Sequence, residues 1–243
     1  VSSVRRIGPF VVACALAACG TSGAAPSDAG DAVDAALDAA DAADAADAAD
    51  ASTCAPADVS SFAPTWRPPN AHAANCTASQ IDAFYTNCLA ATATRATCDS
   101  FRSANAACSA CLVSRATDAT LGPLVVSKLG AGQVSEINYA GCLVLVDPSS
   151  IDCAKKYQAG VQCEHAACDA VCRSDDAASF DAYTGCTGAA GLGACSAYTK
   201  AGQCVFELDA GAIDAGNAAS RCFFAGMTFE ELYRAIAPIF CGP

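Results

Sequence analysis

The sequence predicts a mainly α-helical, disulfide-rich domain with a minor β-hairpin, preceded by a targeting segment and a disordered tether. Three observations carry that prediction. Of the 18 cysteines, all but two stand between Cys54 and Cys241. Two capping boxes, Thr77-Ala78-Ser79-Gln80 and Thr228-Phe229-Glu230-Glu231, each open a run of apolar residues at helical spacing. From Asp28 to Asp50 the chain is almost wholly Ala and Asp, with no Lys or Arg.

The first residues read as a targeting segment rather than as structure. Arg5 and Arg6 make a short positive region, and Ile7 to Ala18 is an apolar run interrupted only by Gly8 and Pro9. The run is well short of the ~20 residues a membrane-spanning helix needs. It ends in Leu16-Ala17-Ala18-Cys19, small residues directly before a cysteine. These four residues resemble a bacterial lipobox. The resemblance implies that residues 1–18 are removed as a lipoprotein signal peptide, and that Cys19 is lipidated and holds the chain to the membrane. Residue 20 is Gly, not the Asp that retains some lipoproteins at the inner membrane, so the outer membrane is favoured over the inner. Cys14 lies inside the leader and leaves with it.

Residues 19–52 are the lipidated cysteine and its Asp/Ala-rich tether. Asp28, Asp31, Asp34, Asp38, Asp41, Asp44, Asp47 and Asp50 stand mostly three apart. On a helix three residues turn about 300°, so the row spirals and leaves no apolar stripe to pack. Like charges at i,i+3 also repel. The expectation is a self-repelling spacer, roughly 30–35 Å end to end as a coil and about 110–120 Å at full extension. Isolated carboxylates make no calcium cage, and an acidic tract does not suit a nucleic acid.

Residues 53–243 are the folded part, one cysteine-rich domain or two degenerate helical-hairpin repeats. With the tether aspartates and leader arginines set aside, 17 acids and 11 bases remain, about −6, which is no footprint for nucleic acid. One Trp, 6 Tyr and all of the 10 Phe but Phe10 supply its aromatics. A core built mainly from Ala buries less area per residue than one rich in Leu and Phe, so covalent bracing is expected. Cys54, Cys76, Cys88, Cys98, Cys108, Cys111, Cys142, Cys153, Cys163, Cys168, Cys172, Cys186, Cys195, Cys204, Cys222 and Cys241 are the candidates. An even number in an oxidising compartment points to eight disulfides. Spacing leaves the pairing open. It does say that cysteines ten apart on one helix, such as Cys153 and Cys163, lie ~15 Å apart, beyond the ~7 Å Cα limit, and must bond to other elements.

In chain order, residues 53–75 carry Pro56, Pro64, Pro68 and Pro69 and read as an extended lead-in, with Trp66 packed on the domain. Thr77 opens a helix whose stripe is Ile81, Phe84, Tyr85, Cys88 and Leu89. A second helix is expected from about Thr97 to Leu112. Residues 121–138 read as a β-hairpin turning at Gly130-Ala131-Gly132. Two strands alone are marginal, so it must lie against helices. Tyr139 to Val146 is apolar all round, a short buried helix stopped by Asp147-Pro148. Ser150 is expected to cap a helix through Cys163, with Ala154, Tyr157 and Val161 inward and Cys168 and Cys172 on a following turn. Ala178–Thr184 and Gly193–Gln203 are shorter helices, and residues 209–217 a loop without the EF-hand pattern. The last helix follows Thr228, with Phe229, Leu232, Tyr233, Ile236 and Phe240 inward.

The chemistry-bearing residues are few. The two histidines are His72 and His165. Cys163, His165, Cys168 and Cys172 can be drawn as a metal site only if the thiols are reduced, and His165 reads first as a solvated helix residue. Cys108-Ser109-Ala110-Cys111 matches C-x-x-C, but no thioredoxin-like setting surrounds it and no His follows for haem. No phosphate loop, dinucleotide fingerprint, G-x-S-x-G or H-E-x-x-H occurs, so no cofactor is called for. As a whole the chain resembles cysteine-rich bacterial lipoproteins with an Asp/Ala-rich tether, which implies surface display. The expectation is a non-catalytic binding or envelope-structural role, with an unidentified extracytoplasmic partner. The alternatives are an extracytoplasmic hydrolase or thiol-redox enzyme, or a metal-capture protein.

Overall fold

The computed structural model describes residues 12–13, 54–70, 74–129, 132–173, 177–206, 221–222 and 227–243. Cys19, the tether, His72 and the 209–217 loop lie outside them. Strand β1 (Val12–Ala13) falls inside the apolar run read as a leader.

The capping box at Thr77 forms as expected and starts α1 (Ala78–Phe84). The Thr77 hydroxyl accepts from the Gln80 N–H, and the Gln80 side chain accepts from the Thr77 N–H. The stripe then changes pitch. Tyr85–Leu89 is a single π-type turn, and of the expected inward residues only Ile81 and Phe84 are fully buried. The helix expected near Thr97–Leu112 is two, α2 (Arg95–Ala104) and α3 (Ala106–Leu112). The break is Asn105, at φ −131° and ψ 49°. Its side chain donates to the Phe101 carbonyl (3.1 Å) and accepts from Gln80 Nε2 (2.8 Å), competing with the helical backbone. A second box, Thr94 with Thr97, starts α2 two residues before the expected position.

β2 (Val113–Arg115) runs parallel to β3 (Leu124–Leu129), which pairs antiparallel with β4 (Gly132–Ile137). Leu129 lies opposite Gly132, so Gly132, expected in the turn, belongs to strand β4. β1 pairs with the other edge of β4, Val12 opposite Ser135 and Ala13 opposite Val134, and the sheet order is β1-β4-β3-β2. β2 was not expected, because three residues are too few to show a period of two.

α4 (Tyr139–Val146) is capped by Asn138, whose Oδ1 accepts from the Gly141 N–H at 2.8 Å, and it stops at Asp147-Pro148. α5 (Ile151–Cys168) runs five residues past the expected end at Cys163. Ser150 supplies no side-chain cap; its hydroxyl donates instead to Asp147. α6 (Ala177–Leu192) extends far beyond Thr184. Gly185, Gly188 and Gly191 weaken it locally, but packing against α5 and the Cys168–Cys186 bridge hold it helical. α7 (Ser196–Gly202) follows. In α8 (Phe229–Cys241) the expected stripe is buried at every position.

The sheet separates two cores. Leu124 and Ile137 face one, with Ile81, Phe84, Leu112 and the α8 stripe. Val134 faces the other, with Ala167, Tyr183 and Ala190 of α5 and α6. A smaller cluster joins α4 to α5 through Leu143, Ala154 and Val205, and Trp66 packs on it. Disulfides stitch these layers: Cys54–Cys172, Cys76–Cys108, Cys88–Cys98, Cys111–Cys241, Cys142–Cys222, Cys153–Cys204, Cys163–Cys195 and Cys168–Cys186. Cys153 and Cys163, both on α5, bond to other elements, as helix geometry requires.

Candidate binding cleft and its buried histidine

One face of α5 presents Tyr157, Gln158, Val161, Gln162 and His165, the i, i+4, i+8 stripe of a straight helix. This face meets the sheet and the lead-in, and between them lies a cleft of about 280 Å³. Strand alternation sets its sheet wall. Val134 and Glu136, two apart on β4, point to the same side, towards α5, while Ile137 points to the other core. Val125 of β3 stands opposite Glu136 and lines the cleft beside it. Phe62, Ala63, Thr65 and Arg67 of the lead-in close the outer side, and Tyr139 at the start of α4 closes one end.

The lead-in is held by an amide ladder. Gln162 Oε1 accepts from the Thr65 N–H (3.0 Å) and Gln162 Nε2 donates to the Thr65 carbonyl (2.8 Å). Gln158 does the same for Arg67, at 2.8 and 3.0 Å. Two residues of extended chain rise ~6.6 Å and four residues of helix rise ~6 Å. Two glutamines one turn apart are therefore in step with every second residue of a strand, and they act as its missing neighbour. The Arg67 side chain reaches on to the loop after β2, where Nη1 donates to the carbonyls of Thr117 (2.8 Å) and Asp118 (2.6 Å).

At the inner end, His165 sits between two carboxylates. Its Nε2 is 2.8 Å from Glu136 Oε2, and its Nδ1 is 3.0 Å from Asp169 Oδ1. The Tyr183 hydroxyl donates to Asp169 and lies 3.1 Å from Nδ1. Only 14% of the His165 side chain is exposed. Burial pulls the imidazole pKa down, but Glu136 and then Asp169 more than reverse this and hold it well above the usual histidine range. The ring is an imidazolium donating from both nitrogens, in the last turn of α5, where the helix dipole favours a cation. Burial, helped by the Glu136 charge, raises the Tyr157 hydroxyl pKa, and burial pushes that of Tyr139 up to about 12, so both stay protonated.

Behind the cleft, Glu164 accepts from the Thr199 hydroxyl at 3.3 Å. Burial raises its pKa to about 7, the Thr199 bond opposing the shift. Gly191 makes room for it, since a Cβ there would lie 2.5 Å from Glu164 Oε1.

His165 is thus a largely enclosed, ion-paired residue, not the solvated one its sequence context suggests. Among the described residues no serine, threonine or cysteine hydrogen-bonds to it, so the centre lacks the nucleophile–base pair of acyl-transfer chemistry. Cys163, Cys168 and Cys172 bond to three different partners, and Cys108 and Cys111 bond to Cys76 and Cys241 rather than to each other. The sulfurs of Cys54, Cys172 and Cys186 lie within 4.8 Å of one another, but all three are spent in disulfides. Of the centre, only the His165–Asp169 pair at i,i+4 carried a local signal. Glu136 lies 29 residues away and Tyr183 lies 18, with nothing in the spacing to join them.

No family model matches this chain, and neither curated proteins nor solved structures give a match. Eight disulfides indicate an oxidising, extracytoplasmic setting. Among the described residues no helix is long and apolar enough to cross a membrane.

Proposed function

We propose that this chain is an exported lipoprotein, anchored through Cys19 and favouring the outer membrane, whose disulfide-braced domain has a non-catalytic binding role outside the cytoplasm. The lipobox-like Leu16-Ala17-Ala18-Cys19 and the Asp/Ala tether support the anchoring, because a spacer matters to a domain that must meet something beyond the lipid headgroups. Removing the leader would take β1 with it and leave β4 as a sheet edge.

The observation that carries the binding role is the cleft. It combines apolar walls, a few polar groups at fixed places and a lead-in clamped across it, the composition of a ligand site. Its histidine is neutralised by carboxylates instead of activating a nucleophile. The thiol-redox and metal-capture alternatives both need free thiols, and the sixteen domain cysteines are all in bonds.

Metabolic labelling with an alkyne fatty acid tests the anchor. The chain should take the label and float with outer membranes on a density gradient, and Cys19→Ala should lose both properties. Equal labelling of the variant would overturn the lipoprotein assignment. Deleting residues 28–50 should leave the domain folded but impair function in cells; full function without the tether counts against the role given to reach.

A further inference from the structure

We infer that the cleft between the lead-in, α5 and the sheet is a binding site for a small zwitterion with an apolar side chain: a free amino acid or a short peptide. The inference rests on the binding role proposed above and names the ligand class. Three observations lead to it.

The first is unspent polar atoms of opposite sign. Glu136 gives Oε2 to His165, which leaves Oε1 without a protein donor among the described residues, and Glu136 lines the cleft. Arg67 uses Nη1 on the carbonyls of Thr117 and Asp118, which leaves Nε and Nη2 without a protein acceptor among the described residues, and Arg67 also lines the cleft. A carboxylate suits an ammonium group, and a guanidinium suits a carboxylate.

The second is charge balance. Arg67, Glu136 and His165 line the cleft, and Asp169 holds His165 from behind. Two positive and two negative groups cancel. A lone cation or a lone anion therefore gains no net attraction from these groups, whereas a zwitterion can set each end against a partner of opposite sign. The low-dielectric apolar surroundings strengthen both the match and the mismatch.

The third is the wall. Phe62, Tyr139 and Tyr157 flank the polar groups, with Tyr139 and Tyr157 set edge to face at 6.3 Å. Aromatic faces accept an apolar side chain and also favour a nearby ammonium. At about 280 Å³ the cleft is at the small end for ligand pockets, which suits an amino acid or a short peptide.

The test is calorimetric titration of the full exported chain with three probes that share a ring: phenylalanine, phenethylamine and phenylpropionate. Phenylalanine should bind at least about tenfold more tightly than either singly charged probe, equivalent to ~1.4 kcal/mol. Glu136→Gln should bring phenylalanine down to the level of phenylpropionate. Arg67→Gln, which keeps the backbone ladder, should bring it down to the level of phenethylamine. Amide shift changes should centre on Glu136, Tyr139 and Tyr157. If Glu136→Gln does not fold, Arg67→Gln alone carries the charge test. Phenethylamine or phenylpropionate binding as tightly as phenylalanine overturns the zwitterion and leaves a binding cleft of another class. No binding of any probe at millimolar concentration, or shift changes away from the cleft, overturns the inference outright. The lipid-labelling and tether-deletion experiments read the anchored role independently of either result.

Discussion

His165 owes its charge to carboxylates that come from two elements, Glu136 from β4 and Asp169 from the end of α5, and the Tyr183 hydroxyl of α6 donates to Asp169. Its folded pKa is raised, so its stabilisation is complete below the ordinary value near 6.5 and is lost as pH climbs through the folded value. The protein should therefore lose stability on the alkaline side. Glu136→Gln breaks a buried pair and should cost about 3–5 kcal/mol, with the His165 pKa falling in an NMR titration. An unchanged pKa would remove Glu136 as the cause. Glu164 is the opposite case of a carboxylate harmed by burial. With a folded value of about 7 against an ordinary 4.5, it favours the fold at low pH and withdraws that contribution as pH rises from about 4.5 to about 7. At 1.36 kcal/mol per unit the withdrawal is of order 3 kcal/mol. Glu164→Gln should thus be more stable than the parent by about 1–3 kcal/mol at pH 8 and no more stable at pH 4, as read from urea unfolding at both pH values.

Among the elements, the most consequential is not regular structure at all. The stretch from Thr65 to Arg67 is extended chain without a strand partner, and Gln158 and Gln162 supply the hydrogen bonds a strand would have given. Gln158→Ala leaves the Arg67 N–H and carbonyl unpaired and should cost about 1–3 kcal/mol. Amide exchange at Arg67 should speed up while exchange in α8 stays as it was; uniform acceleration would mean that the ladder is part of the global fold. Gly141 is a second such point. A Cβ there would stand 2.5 Å from Asn138 Nδ2 and 2.9 Å from the Phe240 ring, so Gly141→Ala should destabilise by about 1–3 kcal/mol, visible as a lowered Tm. Element starts were largely legible. The boxes at Thr77 and Thr228 act between residues three apart, so sequence alone contains both partners. The break at Asn105 was not legible, because one of its competing partners, Gln80, lies 25 residues away.

For the whole molecule, stability rests on bridges that cross between layers. Cys111–Cys241 spans 130 residues and joins α3 to α8, whereas Cys88–Cys98 spans 10. In the loop-entropy account the longer closure contributes about 5 kcal/mol and the shorter about 3. Replacing Cys111 and Cys241 with Ser should lower Tm more than replacing Cys88 and Cys98; the reverse order would show that native-state packing, not chain restriction, dominates. Intact mass after alkylation under denaturing conditions without reductant should show no label on any of the sixteen domain cysteines. A labelled pair at Cys108/Cys111 or among Cys163, Cys168 and Cys172 would return the redox and metal readings.

The helical class, the helix starts at Thr77 and Thr228, the buried stripe of α8 and the hairpin were settled by the sequence itself, because caps, stripes and turns are contests between residues a few positions apart. Only the tertiary structure decided which cysteines pair, that α6 continues through its glycines, and that His165 is a largely enclosed cation facing a cleft. Those outcomes depend on groups 10 to 130 residues distant, brought together by packing. Their meeting then changes what the groups are: an imidazole between two carboxylates keeps its proton although burial opposes it, and no local pattern around residue 165 records that it will meet Glu136.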